Sequence, residues 1–172
     1  MKKQKKKFLR FPVISHGAEF LAQGHLMRRN ILTYKAPPNN EGYDLICIHP
    51  DPRTKSKQVR IQVKSRYQTD CNWSVPVNQK TLSAFDFLIV AFLNIGDFFR
   101  KYKKDTIPGE GKNEPEFYTL PVDFVEKHLD KRYSWQKINL KDFNIDKYKN
   151  EKGFELIAKR LKINYPSRVN KG

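Results

Sequence analysis

The pattern of apolar and polar residues is most regular at residues 59–65: Val59, Arg60, Ile61, Gln62, Val63, Lys64 and Ser65. Side chains on a strand point to opposite faces in turn, so this segment is predicted to be a strand with one apolar and one polar face. Gln62 and Lys64 must then share a face. Taken alone, the pattern is better explained by a half-buried strand with a solvated polar face.

Other segments show helical or strand periodicity. Residues 15–30 are predicted to form a helix with Ser15 as its N-cap and with an apolar face of Ala18, Leu21, Ala22 and Leu26. Short strands are predicted at residues 31–35, 43–49 and 116–120, and the apolar run 85–93 predicts a strand buried on both faces. Further helices are predicted at residues 121–130 and 153–163.

The order of these elements predicts an α/β fold, in which helices flank a mixed five-stranded sheet. Residues 43–49 and 59–65 are expected to form an antiparallel hairpin. A length of 172 residues fits one domain. We predict a basic flexible arm at residues 1–14, a core at residues 15–130, and a basic extension at residues 131–172 that contains a helix packed on the same domain.

Charge suggests the partner. The chain has 34 Lys and Arg against 18 Asp and Glu, a net charge of +16. Such a chain attracts polyanions, so we expect DNA as the partner, although a high lysine content also serves solubility. The predicted nucleic-acid contacts are Arg28, Arg29, Arg66 and Lys80, with Lys80 open to a second interpretation as a solvated side chain.

Cysteine usage and the lack of an apolar leader suggest the setting. The two cysteines, Cys47 and Cys71, do not make a disulfide framework, and Cys47 lies in an apolar run that predicts a buried free thiol. We therefore expect a cytoplasmic protein without a signal peptide or membrane span. The four scattered histidines show no zinc-ligand spacing with the cysteines.

Two acidic residues add chemistry to the polar face of the alternating strand. Asp44 stands at the start of a predicted strand, where aspartate is disfavoured, although a turn-capping role also explains it. Glu19 lies on a helix whose apolar face is expected to pack on the same sheet. Two carboxylates beside Lys64 would suit Mg²⁺, which prefers oxygen ligands, while the ammonium orients a water or stabilises charge.

Three segments carry a family resemblance: Gly17-Ala-Glu19, Gly42-Tyr-Asp44-Leu-Ile and Val59-Arg-Ile-Gln62-Val-Lys64-Ser. Their order, and their placement on a helix and two strands, resembles the core of the PD-(D/E)XK nucleases. This superfamily includes Holliday-junction resolvases and many restriction enzymes. The resemblance covers residues 15–121 and implies a restriction-endonuclease-like fold.

The resemblance also implies residue roles. It implies that Asp44 and the backbone carbonyl of Val63 ligate the metal, and that Glu19 binds it directly or through water. Lys64 would lie near the attacking water. The implied activity is endonucleolytic hydrolysis of DNA with Mg²⁺, for which Mn²⁺ substitutes. Gln62 departs from the usual acidic residue, which removes one negative charge from the site.

Alternatives to an enzyme stay open at this point. The departure at Gln62 is also compatible with a nuclease-fold nucleic-acid-binding module of weak or absent catalysis. A basic RNA-directed protein with accidental motif matches is the third hypothesis. Nucleases of this superfamily often act as homodimers, so a homodimer is an open expectation, although no interface is legible in the sequence.

Overall fold

The computed structural model describes residues 12–38, 40–55, 57–67, 73–95, 113–132 and 136–164. Its helices are α1 (Pro12–Met27), α2 (Val122–His128) and α3 (Asn150–Leu161). Its strands are β1 (Leu32–Lys35), β2 (Leu45–Ile48), β3 (Val59–Arg66), β4 (Ser74–Pro76), β5 (Phe87–Phe92), β6 (Glu116–Pro121) and β7 (Lys137–Asn139).

The main sheet has five strands in the order β1-β2-β3-β5-β6. Among its described strands β3 and β5 pair in parallel and the other neighbours are antiparallel, so the sheet is mixed. This confirms the predicted fold class and the predicted β2–β3 hairpin. A separate two-stranded sheet pairs β4 with β7.

The two faces of the main sheet bury two apolar clusters. The first contains Val59, Ile61 and Val63 of β3 together with residues of α1 and α3. The second contains Leu88 and Val90 of β5 together with residues of α2, β4 and β7. The alternation along β3 and β5 therefore gives one face of the sheet to α1 and α3 and the other to the smaller elements.

The first helix differs from its prediction at both ends. It begins at Pro12, whose fixed φ suits a first helical turn, so Ser15 lies inside the helix and the N-cap prediction was wrong. It ends at Met27, and Asn30 follows with a φ of 61°. The amide of Ile31 donates to the carbonyl of Leu26 (3.1 Å), which closes the helix with a Schellman motif.

The buried face of α1 is narrower than predicted. Ala18, Ala22 and Leu26 are fully buried, whereas Leu21 is 41% exposed. The small side chains of Ala18 and Ala22 let the helix pack closely on the sheet. The prediction for Leu21 was wrong because this residue lies at the edge of the apolar stripe, outside the contact with β3.

The remaining predictions on the chain fall into two groups. Cys47 is a buried free thiol, as predicted, and burial raises its pKa to about 12, so it stays protonated. Most of the predicted basic arm, residues 1–11, and Cys71 lie outside the described residues. None of the described helices is long and apolar enough to cross a membrane.

Candidate active site

The candidate site is built on β3, the third strand of the sheet. The parallel register pairs Gln62 with Leu88 and Lys64 with Val90. Leu88 and Val90 belong to the second cluster, so Gln62 and Lys64 point to that same face. The structure thus places the glutamine and the lysine side by side on one face, as the alternation predicts.

Asp44 lies one residue before β2 and forms hydrogen bonds with the backbone of Ile61 and of Val63, the two neighbours of Gln62 in β3. Its amide donates to the carbonyl of Ile61 (2.8 Å), and its carboxylate oxygen Oδ2 accepts a hydrogen bond from the amide of Val63 (2.6 Å). A carboxylate bound to a backbone amide is held in one position. Asp44 is therefore a fixed, half-buried acid beside Gln62.

Gln62 is the buried polar residue of this arrangement. The residue is 8% exposed, and its oxygen Oε1 has no hydrogen-bond partner among the residues that the structure describes. A buried amide oxygen without a partner costs about 1–3 kcal/mol relative to a satisfied one. The oxygen is thus available to a ligand that the protein itself does not provide, such as a water or a cation.

The alternation of backbone groups along β3 puts the carbonyl of Val63 on the side of Asp44, away from β5. The carbonyls of Arg60 and Arg66 accept hydrogen bonds from Asp86 and Leu93 at the two ends of β5, whereas that of Ile61 accepts from Asp44. Backbone groups on a strand alternate between its neighbours, so Val63 faces the same side as Ile61. Val63 also lies beyond the last pair of the β2–β3 ladder, which joins Leu45 with Ile61.

Glu19 comes from the helix that covers the opposite face of the sheet. Its carboxylate forms an ion pair with Lys35, the last residue of β1, and the exposed side-chain fractions are 14% for Glu19 and 31% for Lys35. The next residue, Ala36, donates its amide to the carbonyl of Asp44 (2.8 Å). Glu19 therefore lies at the same end of the sheet as Asp44, linked to it through β1.

Lys64 opens onto a polar groove of about 940 Å³. The other lining residues are Pro76, Val77, Asn78, Gln79, Lys80 and Gln136. Gln136 bridges the groove wall, since its Oε1 accepts from the amide of Gln79 (2.7 Å) and its Nε2 donates to the side chain of Gln79 (3.2 Å). The groove is thus rimmed by two ammonium groups, Lys64 and Lys80, and by amide side chains.

Two of the predicted nucleic-acid contacts already have partners in the protein. Arg29 is bound to Glu151 of α3 and to the carbonyl of His25, and its side chain is only 10% exposed. Arg66 donates to the carbonyls of Ser65 and Ser74. Arg28 and Lys80 are exposed. The contacts with DNA stay predictions, and the surroundings of Arg29 give it a structural role in joining α1 to α3.

The oxygen donors of this region suit a hard cation. Within the described ranges no three His, Cys, Asp or Glu side chains converge to hold a metal. The available donors are instead the Asp44 carboxylate, the unpartnered oxygen of Gln62, the Val63 carbonyl and the Glu19 carboxylate. Mg²⁺ takes carboxylate, amide and carbonyl oxygens and keeps several waters, so this set fits it chemically with fewer charges than usual.

Sequence reasoning missed the partners that surround the predicted site. Asp86 accepts the amide of Arg60 (2.8 Å) and thereby fixes the start of β5 against β3. Lys35 pairs with Glu19, and Gln136 lines the groove from a distant segment. Asp86 did carry a local signal, because it is the single acid in the apolar run at residues 85–93. Lys35 and Gln136 carry no local signal, because their contacts depend on the tertiary fold.

Trp73 is partly buried and packs against the second apolar cluster. Its ring lies 4.7 Å from that of Phe92 and 5.6 Å from that of Tyr118, measured between centroids. Aromatic rings at these separations contribute to core packing. The ring therefore helps to hold β4 on the second face, next to the groove.

The described fold is similar to that of two solved nucleases. One is a bacterial homing endonuclease, I-Ssp6803I, with 17% sequence identity and a TM-score of 0.52 over 89% of this chain and 94% of that chain. The other is Hjc, a Holliday junction resolvase from the archaeal hyperthermophile Archaeoglobus fulgidus, with 12% identity and a TM-score of 0.43 over 88% of this chain and 98% of that one.

No protein-family model and no curated protein matches the chain. The similarity to the homing endonuclease extends over nearly the whole of both chains, and the sheet has the mixed five-stranded order described above. The chain therefore has a restriction-endonuclease-like fold, as the sequence resemblance predicted.

Proposed function

We propose that this protein is a metal-dependent DNA endonuclease whose site consists of Glu19, Asp44, Gln62 and Lys64. The observation that carries the proposal is the buried oxygen of Gln62, which has no hydrogen-bond partner among the described residues. Gln62 stands between Ile61 and Val63, the two residues whose backbone groups Asp44 binds. A buried polar group without a partner is costly, and such groups concentrate at functional sites.

The donors for the metal come from two strands and one helix. Asp44, Gln62 and the Val63 carbonyl would hold Mg²⁺ or Mn²⁺, and Glu19 would bind it directly or through a water. When bound, the metal supplies Lewis-acid stabilisation of the charge that develops on the phosphate oxygens. With Gln62 neutral, only Asp44 and Glu19 bring negative charge, so we expect weaker metal affinity than an acid at residue 62 would give.

Lys64 would supply a positive charge beside the scissile phosphate. It shares a face with Gln62, opens onto the polar groove, and has no ion-pair partner among the residues that the structure describes. An ammonium in this place orients the attacking water and stabilises negative charge on the phosphate. The resemblance to the superfamily further supports products with 5′-phosphate ends.

DNA is the proposed substrate because of the charge of the chain and the polar groove beside the site. The net charge of +16 favours a polyanion, and the groove continues from Lys64 to Lys80. The proposed path of the scissile strand runs along this groove. The similar fold of a homing endonuclease supports the same substrate class.

A second function is favoured by one observation, the neutral side chain of Gln62. A protein with too little negative charge to hold a metal would be a nuclease-fold module that binds nucleic acid without cutting it. This module would use the same groove and the same basic residues. The two functions differ only in whether strands are cut, so a cleavage assay separates them.

The test is nicking of a supercoiled plasmid with Mg²⁺ or Mn²⁺. We expect nicking by the parent protein and a loss of about 10²-fold or more in rate for Asp44→Ala and for Lys64→Ala. Matched controls are Asp51→Ala and Lys57→Ala, which remove the same charges at a partly exposed loop position and just before β3. These controls should cut like the parent.

Three outcomes would contradict the proposal in different ways. DNA binding without nicking under either metal supports the binding module. Nicking that survives both substitutions at the site places the chemistry elsewhere. Tighter binding to RNA than to DNA at fixed salt supports the RNA-directed hypothesis.

A further inference from the structure

We infer that Lys35 is a built-in counter-ion that competes with the metal for Glu19 and thereby sets the metal affinity of the site. This inference rests on the proposed function. Lys35 is outside the set of residues that the superfamily resemblance implies. It would act as a positioning residue, since it touches the Glu19 carboxylate and no reacting atom.

The contact itself is the first support. The Lys35 ammonium pairs with Oε2 of Glu19, and the carboxylate side chain is only 14% exposed. A half-buried ion pair is screened less by salt than a pair in open solvent. The ammonium also lies 5.1 Å from the centroid of the Phe20 ring, which favours a cation at this position.

The location is the second support. Lys35 is the last residue of β1, and its register partner on β2 is Leu45. The next residue on each strand toward this end of the sheet is Ala36 on β1 and Asp44 beside β2, which are joined by the amide-to-carbonyl bond of 2.8 Å. The cation that pairs with Glu19 is thus carried by the backbone segment bonded to Asp44, the proposed central ligand.

The charge of the site is the third support. Glu19 and Asp44 contribute two negative charges, Lys35 and Lys64 contribute two positive charges, and Gln62 contributes none. The four ionised groups sum to zero, so their combined field attracts a divalent cation weakly. Without Lys35 the same groups would sum to one negative charge. Removing this ammonium is therefore expected to tighten metal binding, not to weaken it.

A purely structural role for the ion pair makes a different prediction. If the ion pair only staples α1 to the edge strand β1, its removal should lower stability and leave metal affinity unchanged. Both roles are compatible with some loss of stability, so stability alone does not separate them. Metal affinity is therefore the measurement that separates the two roles.

The experiment titrates Mn²⁺ into the full chain without DNA, with isothermal calorimetry and with the EPR signal of free Mn²⁺. Lys35→Met keeps the apolar stem and removes the charge, and Lys35→Arg keeps the charge. Lys159→Met is the matched control, because Lys159 pairs with Glu155 (3.0 Å) on the exposed face of α3. We expect at least about tenfold tighter Mn²⁺ binding by Lys35→Met, and parent-like binding by Lys35→Arg and Lys159→Met.

The outcomes separate this inference from the proposed function. Binding by the parent that Asp44→Asn abolishes, but that Lys35→Met leaves unchanged, overturns the inference and keeps the proposed metal site. Absence of Mn²⁺ binding in every form overturns both. If Lys35→Met fails to fold, Lys35→Gln replaces it, and failure of both to fold shows a structural staple and overturns the inference.

Discussion

The carboxylate oxygen Oδ2 of Asp44 lies 2.6 Å from the backbone nitrogen of Val63 and accepts its hydrogen bond. The bond lies beyond the last residue pair of the β2–β3 ladder, where Val63 no longer has a β2 residue opposite. The side chain of Asp44 therefore extends the strand pairing by one bond. Together with the bond from the Asp44 amide to the carbonyl of Ile61, it ties Asp44 to the residues on either side of Gln62.

This geometry predicts that Asp44→Asn removes the negative charge of Asp44 but keeps the hydrogen bond to the amide of Val63. The amide oxygen of asparagine can accept the same hydrogen bond, so the free energy of unfolding should change by less than about 1 kcal/mol. The lost charge should abolish Mn²⁺ binding and lower the nicking rate by about 10²-fold or more. Urea unfolding and a plasmid-nicking assay check the two parts.

The control for this substitution is Asp51→Asn. Asp51 is a partly exposed loop acid whose pKa is lowered by its hydrogen bonds with Arg53, and it lies outside the candidate site. We expect this variant to cut and to bind Mn²⁺ like the parent. A large loss of stability in Asp44→Asn would show instead that the carboxylate is mainly a structural group.

The central strand of the site, β3, was predictable, because its alternation of apolar and polar side chains can be read from consecutive residues in the sequence. The same-face placement of Gln62 and Lys64 followed from that alternation, and the parallel register with Leu88 and Val90 agrees with it. The start of α1 was not predictable from its apolar pattern, since Pro12 sets the first turn through its backbone. Two local signals offered a start for α1, an N-cap at Ser15 and a first-turn proline at Pro12, and the helix begins at the proline.

The partners of the site were beyond sequence reasoning for a different reason. Lys35 and Glu19 are separated by a helix and a turn, and their contact depends on how α1 crosses the sheet. Gln136 reaches the groove only because β7 pairs with β4. Contacts of this kind follow from packing of whole elements, which no periodicity along the chain reports.

Gly42 is predicted to be necessary for the position of Asp44. Its φ is 101°, and a Cβ on this residue would lie 2.4 Å from the Cβ of Ala84. Gly42→Ala should therefore lower the free energy of unfolding by about 2 kcal/mol through backbone strain and overlap, and should lower nicking by displacing the loop before Asp44. Urea unfolding and the nicking assay measure these effects.

Gly24→Ala is the control for this glycine. Gly24 lies inside α1, and a Cβ there meets nothing within 4 Å. Alanine is the better helix former, so this variant should gain about 0.5–1 kcal/mol of stability and keep its nicking rate. Equal behaviour of the two variants would contradict the role given to Gly42.

The groove predicts two different effects on DNA binding. Lys80→Ala removes a cation at the rim, so the slope of log affinity against log salt should become shallower by about 1. Gln79→Ala removes an uncharged amide, so affinity should fall while the slope stays as in the parent. Fluorescence anisotropy of a labelled duplex at several salt concentrations, without divalent metal, measures both. An unchanged slope in Lys80→Ala would place the DNA outside this groove.

Gln62 is predicted to cost stability in the absence of a ligand. Its oxygen is buried and without a partner, so Gln62→Met, which keeps the length of the side chain, should raise the free energy of unfolding by about 1 kcal/mol. The same variant should lose nicking. Urea unfolding without metal, beside the nicking assay, checks this trade of stability for function. A variant that is both less stable and still active would contradict it.

Gln62→Glu tests the charge of the same position. A carboxylate at this buried place beside Asp44 is costly without a cation, so the variant should be less stable than the parent in metal-free buffer. A divalent ion compensates that charge, so added Mn²⁺ should raise its melting temperature more than that of the parent, and nicking should reach half its maximum at a lower metal concentration. An unchanged metal requirement would show that residue 62 lies outside the coordination of the metal. The weak affinity proposed for the parent would then need a different cause, of which the pairing of Glu19 with Lys35 is the first to test.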